Sequence, residues 1–203
     1  MIQDYSWFSL LQAYKRYVFK GAVVLEIGAS NCHRTRELAK YCDKLTGVEF
    51  FPERIPPDFE NIMYLKGDWQ RLSEVVPLES IDVAVSSHVI EHVPDDLKAL
   101  NELYKVLKPG GVAIFDTPNR KRLIRTAIEL FAGERKFPWW EHVREYTEED
   151  LDILIKKSSF KKFKIIPLVF GIHAWPILLY VKKCPRSFRK FTNFWEVHLF
   201  KDE

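Results

Sequence analysis

Residues 5–18 place Trp7, Leu10, Leu11, Tyr14 and Val18 at i, i+3, i+4, i+7 and i+11. That spacing predicts an amphipathic helix with one buried stripe. Ala22–Gly28 (AVVLEIG) follows as a short β-branched run closed by glycine, the pattern of a buried strand. Residues 33–41 hold helix formers with Leu38 and Ala39 on one side. KLTGVEF (44–50), NIMYLK (61–66), IDVAVS (81–86) and VAIFDT (112–117) predict four further strands. From about Asp95 to Leu107, Leu97, Leu100, Leu103, Tyr104 and Leu107 keep the helical period, and Lys108-Pro109-Gly110-Gly111 stops it. Thr147 is placed to cap another helix, with Asp150 in a box-like position three residues on. Residues 163–170 and 194–200 supply the last two strands. Strands alternating with helices predict an α/β fold with a mainly parallel sheet.

A chain of 203 residues with no repeat, low-complexity tract or linker is expected to form one domain over 1–203. Its 47% hydrophobic and 29% charged content excludes disorder and a collagen-like chain. Cys32, Cys42 and Cys184 are too few and too scattered for a disulfide framework, and no Cys-x-x-Cys pair exists. A reducing, cytoplasmic setting and no structural metal are therefore expected. Residues 1–20 carry Asp4, Lys15, Arg16 and Lys20 without an apolar core run, so no secretory signal is expected.

The net charge of +3 is unevenly spread, with eleven Lys/Arg against four Asp/Glu from Leu151 onward. Such a region suits a solvated face or an anionic partner. Within it, residues 165–181 (IIPLVFGIHAWPILLYV) carry no charge and are flanked by lysines and arginines. Pro167, Gly171, His173 and Pro176 make a spanning helix improbable. The run reads as the sixth strand followed by a core helix or loop, as a lid over an apolar substrate, or as a peripheral membrane contact through 165–190. No RNA-binding motif is present, and no nucleic-acid partner is expected.

The candidate chemistry gathers after the strands. Glu26-Ile27-Gly28-Ala29-Ser30 is a small-residue turn before a helix, where a ligand can approach backbone N–H groups. It lacks the further glycines of the dinucleotide fingerprint. Glu49 ends the second strand, 21 residues after Gly28, where a carboxylate can accept from vicinal ribose hydroxyls, and Phe50 can lie against a purine. Gly67-Asp68-Trp69 follows the third strand; Asp68 can accept from an exocyclic amine, and Trp69 offers a backbone donor and a wall. Each acid alone suits an exposed loop, but ligands in such sheets bind outside the carboxyl ends of strands, so the three would meet in one crevice.

These segments resemble the class I S-adenosylmethionine-dependent methyltransferases. VLEIGAS, LTGVEF, YLKGDW, IDVAVSSHVIEHVPDD and LKPGGVAIFDTPN stand in that family's order and spacing. The resemblance implies a Rossmann-like three-layer sandwich, with a seven-stranded, mostly parallel sheet and an antiparallel last strand. It implies a cofactor, S-adenosyl-L-methionine. Glu26, Gly28, Ala29 and Ser30 would frame its methionine end, Glu49 and Phe50 its ribose and purine, and Asp68 and Trp69 its adenine. Ser86 and Ser87 would complete the pocket. The family usually has glycine at Ser30, so serine there implies either an ordinary backbone region or weaker cofactor binding.

The implied reaction is in-line transfer of a methyl group to an O or N nucleophile of a small-molecule acceptor. The domain then divides into an N-terminal helix (1–20), a substrate-side insertion (119–146) and C-terminal strands with the hydrophobic and basic segment (160–203). His88 and His142 are the candidate catalytic bases, with His92 the weaker third. Trp139, Trp140 and Arg144 are candidate acceptor-binding residues. His142 and Arg144 suit equally a network bonded to backbone at a helix start. His88-x-x-Glu91-His92 also matches an inverted zinc motif, but Val93-Pro94 breaks the helix such a pair needs, so no metal is expected. The rivals are a catalytically silent cofactor-binding or regulatory protein of the same fold, and a nucleotide-binding oxidoreductase.

Overall fold

The first apolar stripe forms α1 (Ile2–Tyr17) and buries Leu10, Leu11, Ala13 and Tyr14. The computed structural model describes residues 2–132, 142–174 and 177–203. After α1 come β1 (Val23–Ile27), α2 (Cys32–Ala39), β2 (Lys44–Glu49), β3 (Ile62–Lys66), β4 (Ile81–Ser87), α3 (Asp96–Val106) and β5 (Leu107–Pro118). α4 (Leu123–Ala132), α5 (Glu148–Lys157), β6 (Lys162–Ala174), β7 (Ile177–Lys183) and β8 (Phe194–Phe200) complete the chain.

The strands form one sheet in the order β3-β2-β1-β4-β5-β8-β6-β7. β3 to β5 pair in parallel, whereas β8 runs antiparallel between β5 and β6, and β7 antiparallel to β6. The Rossmann-like fold is as expected, with eight strands in place of seven. The extra strand is β7, and it corrects the reading of 165–181: the run is not a strand with a core helix after it. It is split between the two arms of a β-hairpin, whose register pairs Phe170 with Val181 and Ile172 with Leu179. Pro167 lies in β6 one residue before pairing with β7 begins, where a missing ladder bond is tolerated.

Alternation along each strand divides the core in two. One layer packs α1 and α2 against Val24, Leu45, Val83, Val85 and Ile114. The other packs Ala99, Leu100, Leu103 and Val106 of α3, and Leu151, Leu154 and Ile155 of α5, against Leu25, Ile27, Val48, Phe115 and Val197. Each fully buried leucine contributes roughly 2–3 kcal/mol. α5 opens with the anticipated capping box, in which Thr147 Oγ1 accepts from Asp150 N (3.1 Å) and Asp150 Oδ2 from Thr147 N (2.9 Å). The parallel strands share one carboxyl edge, and strand order reverses between β1 and β4, where open α/β sheets bind ligands.

Candidate functional site

At that reversal β1 ends in Glu26 and Ile27 and turns at Gly28. Gly28 has φ +82°, and its N–H donates to Val48 O at 2.8 Å. A Cβ there would lie 2.4 Å from Val89 Cγ2, so only glycine lets the β4 turn close against the β1 turn. Ala29 is fully buried, and a Cβ on Gly47 would meet its methyl at 2.8 Å. Ser30 is exposed and is not among the positive-φ residues, so its backbone region is an ordinary one. Asn31 caps α2, its Oδ1 accepting from Arg34 N at 3.4 Å. An asparagine just before a helical pattern is a start signal, and the sequence reading passed over it.

Glu26 faces the α1 and α2 side and is buried, and its Oε2 has no hydrogen-bond partner among the described residues. Burial pushes its carboxyl up to about 7, against hydrogen bonding from Thr35 and the charge of Arg34. Glu49 is also buried, and its Oε1 accepts from Phe51 N at 3.0 Å. Phe50 is 56% exposed, so a ring face is available to a ligand.

Asp68 caps a 3₁₀ turn (Trp69–Glu74): Oδ1 accepts from Gln70 N at 2.9 Å, and Gln70 Nε2 lies 3.2 Å from both oxygens. Trp69 departs from expectation. Its ring is buried in the core beside Phe115, with centroids 6.3 Å apart, and cannot present an open wall to a ligand. The turn after Asp68 sends the indole into the sheet. Ser86 Oγ donates to Ile27 O at 3.1 Å and bridges two strands, so its hydroxyl is engaged within the sheet. Ser87 points to the opposite face, and its buried Oγ has no hydrogen-bond partner among the described residues.

His88 links the two faces of the carboxyl edge. Its φ of +54° is uncommon for a residue with a side chain. Its N–H donates to Asp116 Oδ1 at 3.0 Å, while the ring sits edge-on to Phe194 with centroids 5.2 Å apart. Nδ1 lies 3.3 Å from Glu91 Oε1, and Nε2 lies 3.1 Å from Ser6 Oγ of α1 and 3.7 Å from Asp116 Oδ2. Burial alone would lower its pKa, but Asp116 and Glu91 outweigh it and push the ring up to about 9. The ring is therefore a cation at neutral pH and donates from both nitrogens. Glu91 is fully buried; its other oxygen accepts from Thr117 Oγ1 at 3.0 Å, and its carboxyl is held below the usual range by His88 despite burial.

Arg144 follows the second of its two readings, whereas His142 bonds to a carboxylate and not to backbone. His142 Nδ1 lies 3.0 Å from Glu145 Oε1, and Glu145 also holds Arg122, just before α4, and Arg125 of α4. Arg144 donates to Val93 O at 2.9 Å and to Pro94 O, and pairs with Asp96 Oδ2 at 3.0 Å. Its guanidinium ties the α5 approach to the start of α3, which corrects its assignment as a grip on an anionic acceptor. Trp139 and Trp140 lie outside the described residues. Glu91, His92 and His142 bring one donor atom each to within 4.8 Å of one another. Donors around zinc stand about 3.3 Å apart, given metal–ligand bonds of about 2.0–2.1 Å. Both Glu91 oxygens already accept hydrogen bonds. His92 and His142 meet edge to face with ring centroids 4.8 Å apart.

Comparison with known proteins follows the geometry. A methyltransferase domain family matches residues 2–164. A Mycolicibacterium smegmatis protein named "Probable S-adenosylmethionine-dependent methyltransferase" is 27% identical over 150 residues, covering 70% of this chain. The chain spans about half, 52%, of that relative's length. A ubiquinone biosynthesis O-methyltransferase of Cereibacter sphaeroides is 26% identical over 171 residues, covering 77% of this chain and 67% of that protein. Among solved structures, a Thermotoga maritima protein described as a SAM-dependent methyltransferase, possible histamine N-methyltransferase, is 25% identical. It superposes with a TM-score of 0.67 over 99% of this chain and 92% of its own.

Proposed function

The chain belongs to the class I S-adenosylmethionine-dependent methyltransferases, and from that premise we propose that it methylates an O or N nucleophile of a small-molecule acceptor by in-line displacement. The observation that carries the reading is Glu26. A buried carboxylate oxygen without a partner, beside a glycine turn at the strand-order reversal, fits an ammonium group arriving with the cofactor. When bound, S-adenosyl-L-methionine supplies a sulfonium-activated methyl group. Glu26, Gly28, Ala29 and Ser30 hold the methionine end. Glu49 accepts from the ribose, Phe50 covers the purine and Asp68 accepts from its amine. Trp69 contributes through its backbone.

His88 is assigned a positioning role. As a cation it holds Asp116 and Glu91 at the acceptor side and fastens α1 above them. His142 is assigned the role of base, its ring oriented by Glu145 Oε1, 3.0 Å from Nδ1. Of the relatives described above, one is named an O-methyltransferase and one a possible N-methyltransferase, which supports either acceptor atom.

Calorimetric titration tests the binding half: S-adenosylmethionine binds in the micromolar range and NAD does not. Methyl transfer from labelled cofactor to a panel of phenols and amines tests the other half. Tight cofactor binding without transfer to any acceptor would favour the silent, regulatory protein; no binding would overturn the reading altogether.

A further inference from the structure

We infer that the β6–β7 hairpin is a docking surface for an anionic membrane. The inference is independent of the proposed reaction. β8 stops pairing with β6 at Leu168↔Phe194, while the β6–β7 ladder continues to Ala174↔Ile177. The hairpin therefore extends past β8 on the side of the sheet's carboxyl edge, where the cofactor turn lies. Beyond Phe194 it is a two-stranded ribbon, and such ribbons are marginal alone.

Its two faces differ. Tyr180 packs edge-on against Tyr5 of α1, with centroids 5.2 Å apart. The opposite face pairs Phe170 with Val181 and Ile172 with Leu179, and Phe188 lies 4.9 Å from Phe170, centroid to centroid. Leu179 is 73% exposed, Val181 52%, Phe188 47% and Ile172 36%. A contiguous apolar patch of this kind on a projecting edge marks an interaction surface.

Charge selects the occupant. Residues 160–195 contain eight Lys/Arg and no Asp/Glu. Arg189 is partly neutralised by Glu148 of α5, and Lys161, Lys162 and Lys164 lie at the far end of β6, against Ser158 O and Phe200, so Lys182, Lys183, Arg186 and Lys190 are the cations next in sequence to the patch. Two copies meeting through this face would bring like charge together, which disfavours a self-dimer. Three of the four exposed patch residues, Ile172, Leu179 and Val181, are aliphatic and offer no stacking platform for bases, which disfavours nucleic acid. Aliphatic and aromatic groups bordered by lysine and arginine suit insertion at the headgroup level of an anionic bilayer. No helix among the described residues is long and apolar enough to cross a membrane, so the contact is with the surface.

The test is co-sedimentation of the full chain with phosphatidylcholine vesicles, with and without 30% phosphatidylglycerol, at low and high salt. The expected result is at least tenfold stronger binding to the anionic vesicles, weakened by salt. Binding should be lost in the double variant Leu179→Asp, Val181→Asp, whose cofactor affinity stays unchanged because neither residue touches that site. No sedimentation with anionic vesicles at low salt would overturn the inference. So would equal binding by the variant, which would put the contact elsewhere. A concentration-dependent dimer abolished by the same variant would assign the face to a second copy instead. None of these outcomes alters cofactor titration, so the methyltransferase reading stands or falls separately.

Discussion

Ser6 Oγ lies 3.1 Å from His88 Nε2, which joins the first helix to the turn after the fourth strand across 82 residues of sequence. The contact makes α1 more than a lid of apolar stripes. Its N-terminal part rests on an ionic cluster in which one histidine faces two buried carboxylates, Asp116 and Glu91. The helix and the turns after β1 and β4 thus share one set of side chains, because Val89, next to His88, is also what packs on Gly28.

The pH dependence of that cluster follows from His88. Its folded pKa, about 9, stands above the ordinary 6.5, so its contribution is complete below about 6.5 and fades as pH rises through 9. The gain is at most on the order of 3 kcal/mol. Urea unfolding between pH 7.5 and 10 should show wild-type stability falling more steeply than that of His88→Gln. Parallel slopes would mean that the ring is not charged in the folded protein.

Glu26 gives the opposite sign for ligand binding. Free, its carboxyl is raised to about 7 by burial. An ammonium group set against it stabilises the carboxylate and lowers that value, so binding releases a proton. Cofactor affinity should therefore rise from pH 6 to pH 7.5 and then level off, with proton release visible as a buffer-dependent enthalpy in calorimetry. Glu26→Gln should bind more weakly and without that pH trend. A wild-type affinity flat across the range would remove Glu26 from the pocket.

The strand pattern was readable because alternation and β-branched runs are local properties; β8 spans residues 194–200 as expected. The α5 capping box was readable for the same reason, since its hydrogen-bonding partners lie three residues apart. What escaped depends on distant partners or on backbone shape. Arg144 meets carbonyls about fifty residues away, at Val93 and Pro94. The burial of Trp69 is decided by a 3₁₀ turn, and the cationic state of His88 by a positive φ that brings it between Asp116 and Glu91. β7 is not legible because Gly171 looks like a breaker in one dimension and pairs with Tyr180 inside the hairpin in three.

Gly28 and Val89 form a testable steric pair. Gly28→Ala places a methyl 2.4 Å from Val89 Cγ2 and forces a side chain into φ +82°. The two effects together should cost roughly 2–4 kcal/mol. Adding Val89→Ala relieves the overlap and leaves the backbone strain. A double-mutant cycle by denaturant unfolding should therefore give a favourable coupling of about 1 kcal/mol or more. Additive losses would show that the β4 turn moves aside freely.

Asp68 has two duties that substitution can separate. As a cap it serves the turn through Gln70 N, and as a proposed ligand group it meets the adenine amine. Asp68→Ala removes both, and should lower fold stability by about 1 kcal/mol and cofactor binding by roughly 1–3 kcal/mol. Asp68→Asn keeps an oxygen for Gln70 N, so thermal unfolding should stay near wild type. Its cofactor affinity should fall between those of the other two proteins, because an amide oxygen is a weaker acceptor than a carboxylate. If Asp68→Ala lowered only stability and left the cofactor dissociation constant unchanged, the residue would be a cap alone, and the adenine would have to be held from the Phe50 side.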